Sequence, residues 1–256
     1  MRTREGNLML MDGGMESNGD AAKLRSYIKS QGNNKVKTWW FTHPHGDHVG
    51  AFINIANDPQ GIEIEKIYHS RLADKIMNKN DSTTVKFYNA LDAMAAKGVE
   101  VVDLTLGGRY DLDGIFIKVI GIANPEFTTA SLGTSVYNEQ SVIVRFEDDK
   151  KSVVFTGDAS EQAGDKCIKK YYKYLNCDYL QMAHHGQKGV RESFYKNIEF
   201  KHCLFPTPKW LWQAGTEDTV NAAGYNTYLT RQWIANKGIP DENIHVAWRD
   251  IDWHLA

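Results

Sequence analysis

The stretch Trp39-Trp40-Phe41-Thr42-His43-Pro44-His45-Gly46-Asp47-His48-Val49-Gly50 constrains the chain more than any other. An apolar run ends there in three histidines and an aspartate. Neutral imidazole nitrogens and carboxylate oxygens are the non-thiol ligands that zinc and similar ions prefer. Side chains alternate along an extended segment, so His43 and His45 share one side. Gly46 then lets the chain turn, and Asp47 and His48 face the same space from a loop or from the first turn of a helix.

The rest of the composition excludes more than it selects. A chain of 256 residues is long enough to bury a substantial core. The formal net charge of −2 gives no global pull toward nucleic acid or anionic membranes, so nucleic acid is a possible partner that net charge does not support. Cys167, Cys177 and Cys203 are odd in number and lack Cys-x-x-Cys spacing, which reads as reduced, buried thiols. No apolar run approaches the length of a membrane span. Met1 to Glu5 is charged and carries no signal-peptide core. A cytoplasmic protein is therefore expected, unless a leader or an earlier strand precedes this abrupt start.

Read in order, strands are expected at Asn7–Met11, Val36–Thr42, Ile62–His69, Val99–Leu104, Arg109–Leu112, Ile115–Ile120, Ser141–Phe146, Ser152–Phe155, Tyr179–Ala183, His202–Phe205 and Ile244–Trp248. Helices are expected at Ala21–Ser30, Val49–Ala56, Val85–Lys97 behind an Asp81 cap, Glu161–Tyr174, Ser193–Asn197, and from about Thr219 to Asn236. Asp113-Gly114 is a hairpin-turn pair. Asn124 to Asn138 has no periodicity and reads as a loop near a site. The alternation, interrupted by hairpins, indicates an α/β chain with two mixed sheets covered by helices, in a single domain over 1–256.

Three strand ends share one character. Each apolar run finishes in metal-competent residues: His43/His45/Asp47/His48, then Asp158 after Thr156-Gly157, then His184/His185 after Met182-Ala183. Sites at strand ends are held rigidly by the sheet. Asp158 follows a glycine, so its carboxylate can project at a turn and bridge two ions, the arrangement common in phosphoester hydrolysis.

The order Asp12-Gly13-Gly14, His-x-His-x-Asp-His, Thr-Gly-Asp, His-His-Gly resembles the metallo-β-lactamase superfamily across nearly the whole chain. The resemblance implies a four-layer αβ/βα sandwich with a dinuclear site. It implies one ion on His43 and His45, a second on Asp47 and His48, and Asp158 bridging both. One histidine of the His184/His185 pair completes the second site, His184 being the first choice. Two divalent ions follow as cofactors, zinc first, with manganese or iron as alternatives. No histidine lies between His69 and His184, where most members supply another ligand. The segment Asn138-Glu139-Gln140-Ser141 stands there, and with Thr-Gly-Asp and His-His-Gly it resembles ComEC-type DNA-uptake hydrolase domains and bacterial phosphorylcholine esterases. Asn138 then replaces the missing ligand, and the ion on His43 and His45 is the more weakly held.

The reading that follows is a metal-dependent phosphodiesterase. Asp47 and Asp158 orient the attacking water, and His185, Asn138 or Lys188, in that order, meets the leaving oxygen. A nuclease or a cell-surface phosphorylcholine-type esterase are its alternatives, with a phosphoester as substrate. A metal-binding interaction module of lost activity is the alternative from another class. Lys188, Arg191, Lys196 and Lys201 form a basic stretch that meets phosphate or merely solvent. Trp210, Trp212 and Tyr225 form a recognition wall or simply pack, while Trp39 and Trp40 belong to the core.

Overall fold

The computed structural model describes residues 1–17, 19–123, 136–215 and 226–249. Most of the loop expected from Asn124, the start of the helix expected from Thr219, and Tyr225 lie outside the described residues. The chain divides into two compact units, Met1–Thr105 with Ile122–Tyr137, and Leu106–Gly121 with Asn138–Ala256.

The first unit runs β1 (Met9–Met11), α1 (Asp20–Ser30), β2 (Lys35–Val36), β3 (Thr38–Trp40), α2 (Gly46–Asn57), β4 (Glu63–Ile64), β5 (Lys66–His69), α3 (Ser82–Ala96) and β6 (Glu100–Asp103). Its main sheet has the order β1-β3-β5-β6 and is parallel among the described residues, whereas the sequence suggested a mixed sheet. The reason is local: a helix follows β1, β3 and β5 and returns the chain to the same end, which only parallel pairing allows. The expected strands Val36–Thr42 and Ile62–His69 each break once. Val36 and Ile64 pair in a separate two-stranded ribbon, while Trp39 and Ile67 pair in the main sheet.

Trp39, Phe41, Phe52 and Phe87 form the centre of this unit's core, with Phe41 and Phe52 ring centroids 4.7 Å apart and Phe41 and Phe87 5.1 Å apart. Trp40 stacks on Tyr68 at 3.9 Å. Asp81 caps α3 by accepting from the Thr83 and Thr84 amides, as its position predicts. Gly50 makes the closest approach among the described glycines of the unit. A Cβ there would lie 2.1 Å from the Glu16 nitrogen, so only glycine lets α2 lie against the loop that follows β1.

The second unit runs β7 (Arg109–Leu112), β8 (Ile115–Gly121), α4 (Val136–Glu139, entered from the first unit), β9 (Ile143–Glu147), β10 (Ser152–Phe155), α5 (Glu161–Leu175), β11 (Tyr179–Gln181), α6 (Glu192–Asn197), β12 (His202–Phe205), α7 (Lys209–Gln213), α8 (Tyr228–Asn236) and β13 (Ile244–Val246). Its seven strands have the order β13-β12-β11-β10-β9-β8-β7. This sheet is mixed, as expected: antiparallel from β7 to β10, parallel from β10 to β13. Asp113 and Gly114 both have positive φ, the geometry a two-residue hairpin loop of this twist requires. Helix α7 was not anticipated, and β13 ends two residues short of Trp248.

Buried Glu139 supplies the N-terminal cap of α5, which Ser160 does not. Its two carboxylate oxygens accept from the Gln162 amide at 3.1 Å and the Ala163 amide at 2.7 Å. Burial raises its pKa above the usual carboxylate value, and the two amide donors oppose that shift.

Candidate metal centre

In the first unit the candidate ligand cluster grows directly from the end of β3. Phe41 and Thr42 follow the strand, His43 comes next, and His45 is the residue before α2. Asp47 and His48 therefore sit in the first helical turn. The pattern prediction that His43 and His45 share a side holds, since His43 Nε2 and His45 Nδ1 are 2.9 Å apart. Asp47 is exposed, and its Oδ2 lies 3.8 Å from His48 Nε2.

Behind these residues stands Asp12, just past β1. Its Oδ2 accepts from the Thr42 hydroxyl at 2.8 Å and from His48 Nδ1 at 2.7 Å, while its Oδ1 accepts from the Thr42 amide at 2.8 Å. A carboxylate only accepts, so His48 carries its proton on Nδ1. The Thr42 hydroxyl has spent its proton on Asp12, so His43 Nδ1, 3.0 Å away, must donate to it. Both imidazoles are thus held in one tautomer with the Nε2 lone pair directed away from this relay. Orientation of a ligating histidine by a partner on its other nitrogen is what metal sites require.

The second unit repeats this logic with carbonyls. Beyond β11, His184 Nδ1 donates to the Lys188 carbonyl at 3.1 Å and His185 Nδ1 to the Pro206 carbonyl at 2.8 Å. Both Nε2 atoms then face Asp158 Oδ2, at 3.7 Å from His184 and 3.5 Å from His185. Asp158 is 2 % exposed, and a carboxylate so buried needs positive charge close by. Its amide donates to Ser141 Oγ at 3.1 Å. Gln181 braces the turn before it, accepting from the Thr156 and Gly157 amides. His184 and His185 have φ of 50° and 57°, a left-handed pair of non-glycine residues, and such strain persists only where surrounding structure enforces it.

The segment Asn138-Glu139-Gln140-Ser141 is used throughout this half. Ser141 holds the Asp158 amide, Glu139 caps α5, and Asn138 Nδ2 lies 3.5 Å from His184 Nε2. Asn138 is 7 % exposed, and its Oδ1 has no hydrogen-bond partner among the described residues. An amide oxygen buried without a partner is costly unless something electropositive meets it. Together with a buried carboxylate and imidazoles of fixed tautomer, it fits a divalent cation.

The metallo-beta-lactamase superfamily profile matches residues 1–212. The chain belongs to the metallo-β-lactamase superfamily. Its mixed α/β fold, with helices on two main sheets, accords with that superfamily's α/β sandwich. The superfamily is one of metal-dependent hydrolases, and the chain's His/Asp clusters are of the kind that binds metal. Among solved structures, the metallo-β-lactamase-fold protein YhfI from Bacillus subtilis is similar at 14% identity and a TM-score of 0.54, over 93% of this chain and 83% of that one. A diphosphatase of the PhnP family is similar at 14% identity and a TM-score of 0.48, over 96% and 79%. Zn(2+)-bound PqqB from Methylobacterium extorquens is similar at 12% identity and a TM-score of 0.48, over 96% and 83%. At these identities the likeness bears on the fold alone. No curated protein sequence matches the chain.

Other expected site residues fall elsewhere. The exposed Lys188 contributes its backbone carbonyl to His184. Arg191 pairs with Glu161 and Asp165, Lys196 with Glu192, and Lys201 with Asp178, so most of the expected basic stretch is neutralised on the surface. Trp39 and Trp40 are buried, as expected. Trp212 packs edge-on against Phe205, whereas Trp210 is exposed. Burial pushes all three thiols up to about 12, in keeping with inert cysteines. The sequence places Asp12 only in the Asp12-Gly13-Gly14 order, with no role of its own. In this superfamily member its position before two glycines was the available signal.

Proposed function

We propose that the chain is a metal-dependent phosphodiesterase in which His43, His45, Asp47, His48, Asp158 and His185 hold two divalent ions, zinc before manganese or iron. The observation that carries the reading is the fixed tautomer. His43, His48 and His185 each give their Nδ1 proton to an acceptor within their own unit, which orients the Nε2 lone pair for ligation. The choice of His185 over His184 reverses the preference drawn from the strand end. It is supported by the Asn138 amide, which already faces His184 Nε2. Asn138 Oδ1 then serves the ion on His43 and His45, or the substrate.

Divalent ions bound in such a site acidify water and neutralise charge on the phosphoryl oxygens. The residues supply the rest. Asp47 and Asp158 would accept hydrogen bonds from the attacking water, and Asp47 would receive its proton. His184, anchored on the Lys188 carbonyl, would take up a proton on Nε2 and give it to the leaving oxygen, with the Asn138 amide beside it.

Elemental analysis of the purified chain, paired with hydrolysis of bis-(p-nitrophenyl) phosphate under zinc and under manganese, tests the proposal. Asp47→Ala is expected to lose one metal equivalent and most of the turnover. Unchanged metal content and rate would sink it. DNA, cyclic nucleotides and p-nitrophenyl phosphorylcholine then separate the substrate classes. Metal binding without turnover of any ester would identify an interaction module instead.

A further inference from the structure

The overall charge of −2 conceals a local concentration of cations in the second unit. In the sheet register, Arg109 of β7 stands opposite Lys118 of β8, and Lys118 opposite Arg145 of β9. Like charges directly opposed in neighbouring strands are unfavourable. Arg145 is answered by a two-pronged pair with Glu147 and by the Tyr174 and Asn176 carbonyls. Lys118 has no such answer. It is 6 % exposed, its ammonium donates to the Gly107 carbonyl at 2.6 Å, and it lies 5.5 Å from the Tyr174 ring centroid. Among the described residues no carboxylate comes within ion-pair distance of Lys118 or Arg109, although Asp111 lies two residues along from Arg109 in β7. Buried ammonium groups are rare without a counter-charge.

Tyr174 belongs to α5, whose last turns carry Lys169, Lys170 and Lys173. All three are exposed and have no ion pair among the described residues, in contrast with Arg191, Lys196 and Lys201 of the same unit. Lys170 lies 5.5 Å from the Tyr171 ring centroid, and Tyr172 stands 45 % exposed between Lys170 and Lys173. The apolar side of α5 is already committed to its own sheet, with Cys167 Sγ against the Ile120 carbonyl. The outward face therefore offers cations and a flat ring, not the apolar surface a bilayer interface demands.

We propose that this face, formed by the exposed Arg109, Lys169, Lys170, Tyr172 and Lys173 with the buried Lys118 ammonium adding positive charge behind them, binds single-stranded nucleic acid. Phosphates follow the lysines and a base stacks on Tyr172, the combination by which strands are held without sequence preference. The proposal stands apart from the metal-centre reading, because it uses none of the ligand residues.

Fluorescence anisotropy of a short labelled oligothymidylate with the full chain tests it. Saturable binding is expected, with log affinity falling against log salt at a slope of about −3, as for four neutralised phosphates on a single strand. Reversing Lys169, Lys170 and Lys173 to Glu is expected to weaken binding at least tenfold. Tyr172→Ala is expected to weaken it severalfold at an unchanged slope. Hydrolysis of bis-(p-nitrophenyl) phosphate by both variants should match the parent. An affinity indifferent to the lysine reversal, a slope near zero, or capture by phosphatidylserine vesicles without oligonucleotide binding would overturn the proposal. A protein without hydrolytic activity that still binds the strand would refute the catalytic reading and uphold this one.

Discussion

His48 Nδ1 lies 2.7 Å from Asp12 Oδ2, across thirty-six residues of sequence. The contact joins the end of the first strand to the first turn of α2, and Thr42 ties the same carboxylate to the end of β3. One side chain therefore sets the proton positions of two proposed ligands, one of each ion. Its own backbone is left-handed, with φ of 54°, a conformation that aspartate and asparagine tolerate better than most residues.

Asp12→Asn should leave that loop intact while replacing the acceptor that fixes His48. Loss of such an outer partner lowers metal affinity about 10–100-fold. Chelator competition on the purified variant measures this, and parent-like affinity would show that the tautomer is set elsewhere.

The two histidines after β11 are separable. His185→Gln is expected to remove one equivalent of metal, because its Nε2 is the nearer to Asp158. His184→Gln is expected to keep the metal and lose turnover, because Asn138 faces its Nε2. Stoichiometry by elemental analysis decides, and the opposite pattern would restore His184 as the ligand.

Gly50→Ala places a Cβ 2.1 Å from the Glu16 nitrogen, so backbone must move. Overpacking of this kind costs about 3 kcal/mol, enough to lower the melting temperature by several degrees. Scanning calorimetry of parent and variant reads it directly, and an unchanged transition would mean that the loop yields freely.

Acid should weaken the first unit through His69. Burial lowers its pKa from 6.5 to about 4, the largest of its causes, with Asp103 opposing and Arg71 assisting. The folded state thus prefers the neutral ring. Stability is complete above pH 6.5 and is lost as pH falls toward 4, by at most about 3 kcal/mol from the size of the shift. Denaturant titrations at pH 7 and pH 5 should differ for the parent and converge for His69→Leu. Equal pH sensitivity in both would reassign the effect.

The thiols should be inert in the native protein. With all three held at about 12 by burial, almost no thiolate exists at neutral pH. A chromogenic disulfide reagent should label them only after denaturant is added, and rapid native labelling of Cys177 would contradict its placement.

The proposed ligand residues were legible because their chemistry is local: a strand end followed by a glycine turn presents neighbours in sequence as neighbours in space. The hairpin at Asp113-Gly114, the Asp81 cap and the core tryptophans Trp39 and Trp40 were legible for the same reason. The breaks at Lys37 and Glu65 were not, since each flanking apolar run looks continuous until its two ends choose different partners. Asp12 and Glu139 were hidden for a related reason. Each acts on a helix or ring far along the chain, and no period in the sequence encodes that. The row Arg109, Lys118 and Arg145 depends on strand register, which charge counting averages away.

The consecutive left-handed histidines set stability against use. Glycine at 184 or 185 would relieve roughly 1 kcal/mol or more of backbone strain at either position. Selection for heat resistance alone should therefore favour glycine there, and each such gain would remove an imidazole. Natural or laboratory lineages that trade these histidines for glycine would be recording abandonment of the proposed chemistry, not improvement of the fold.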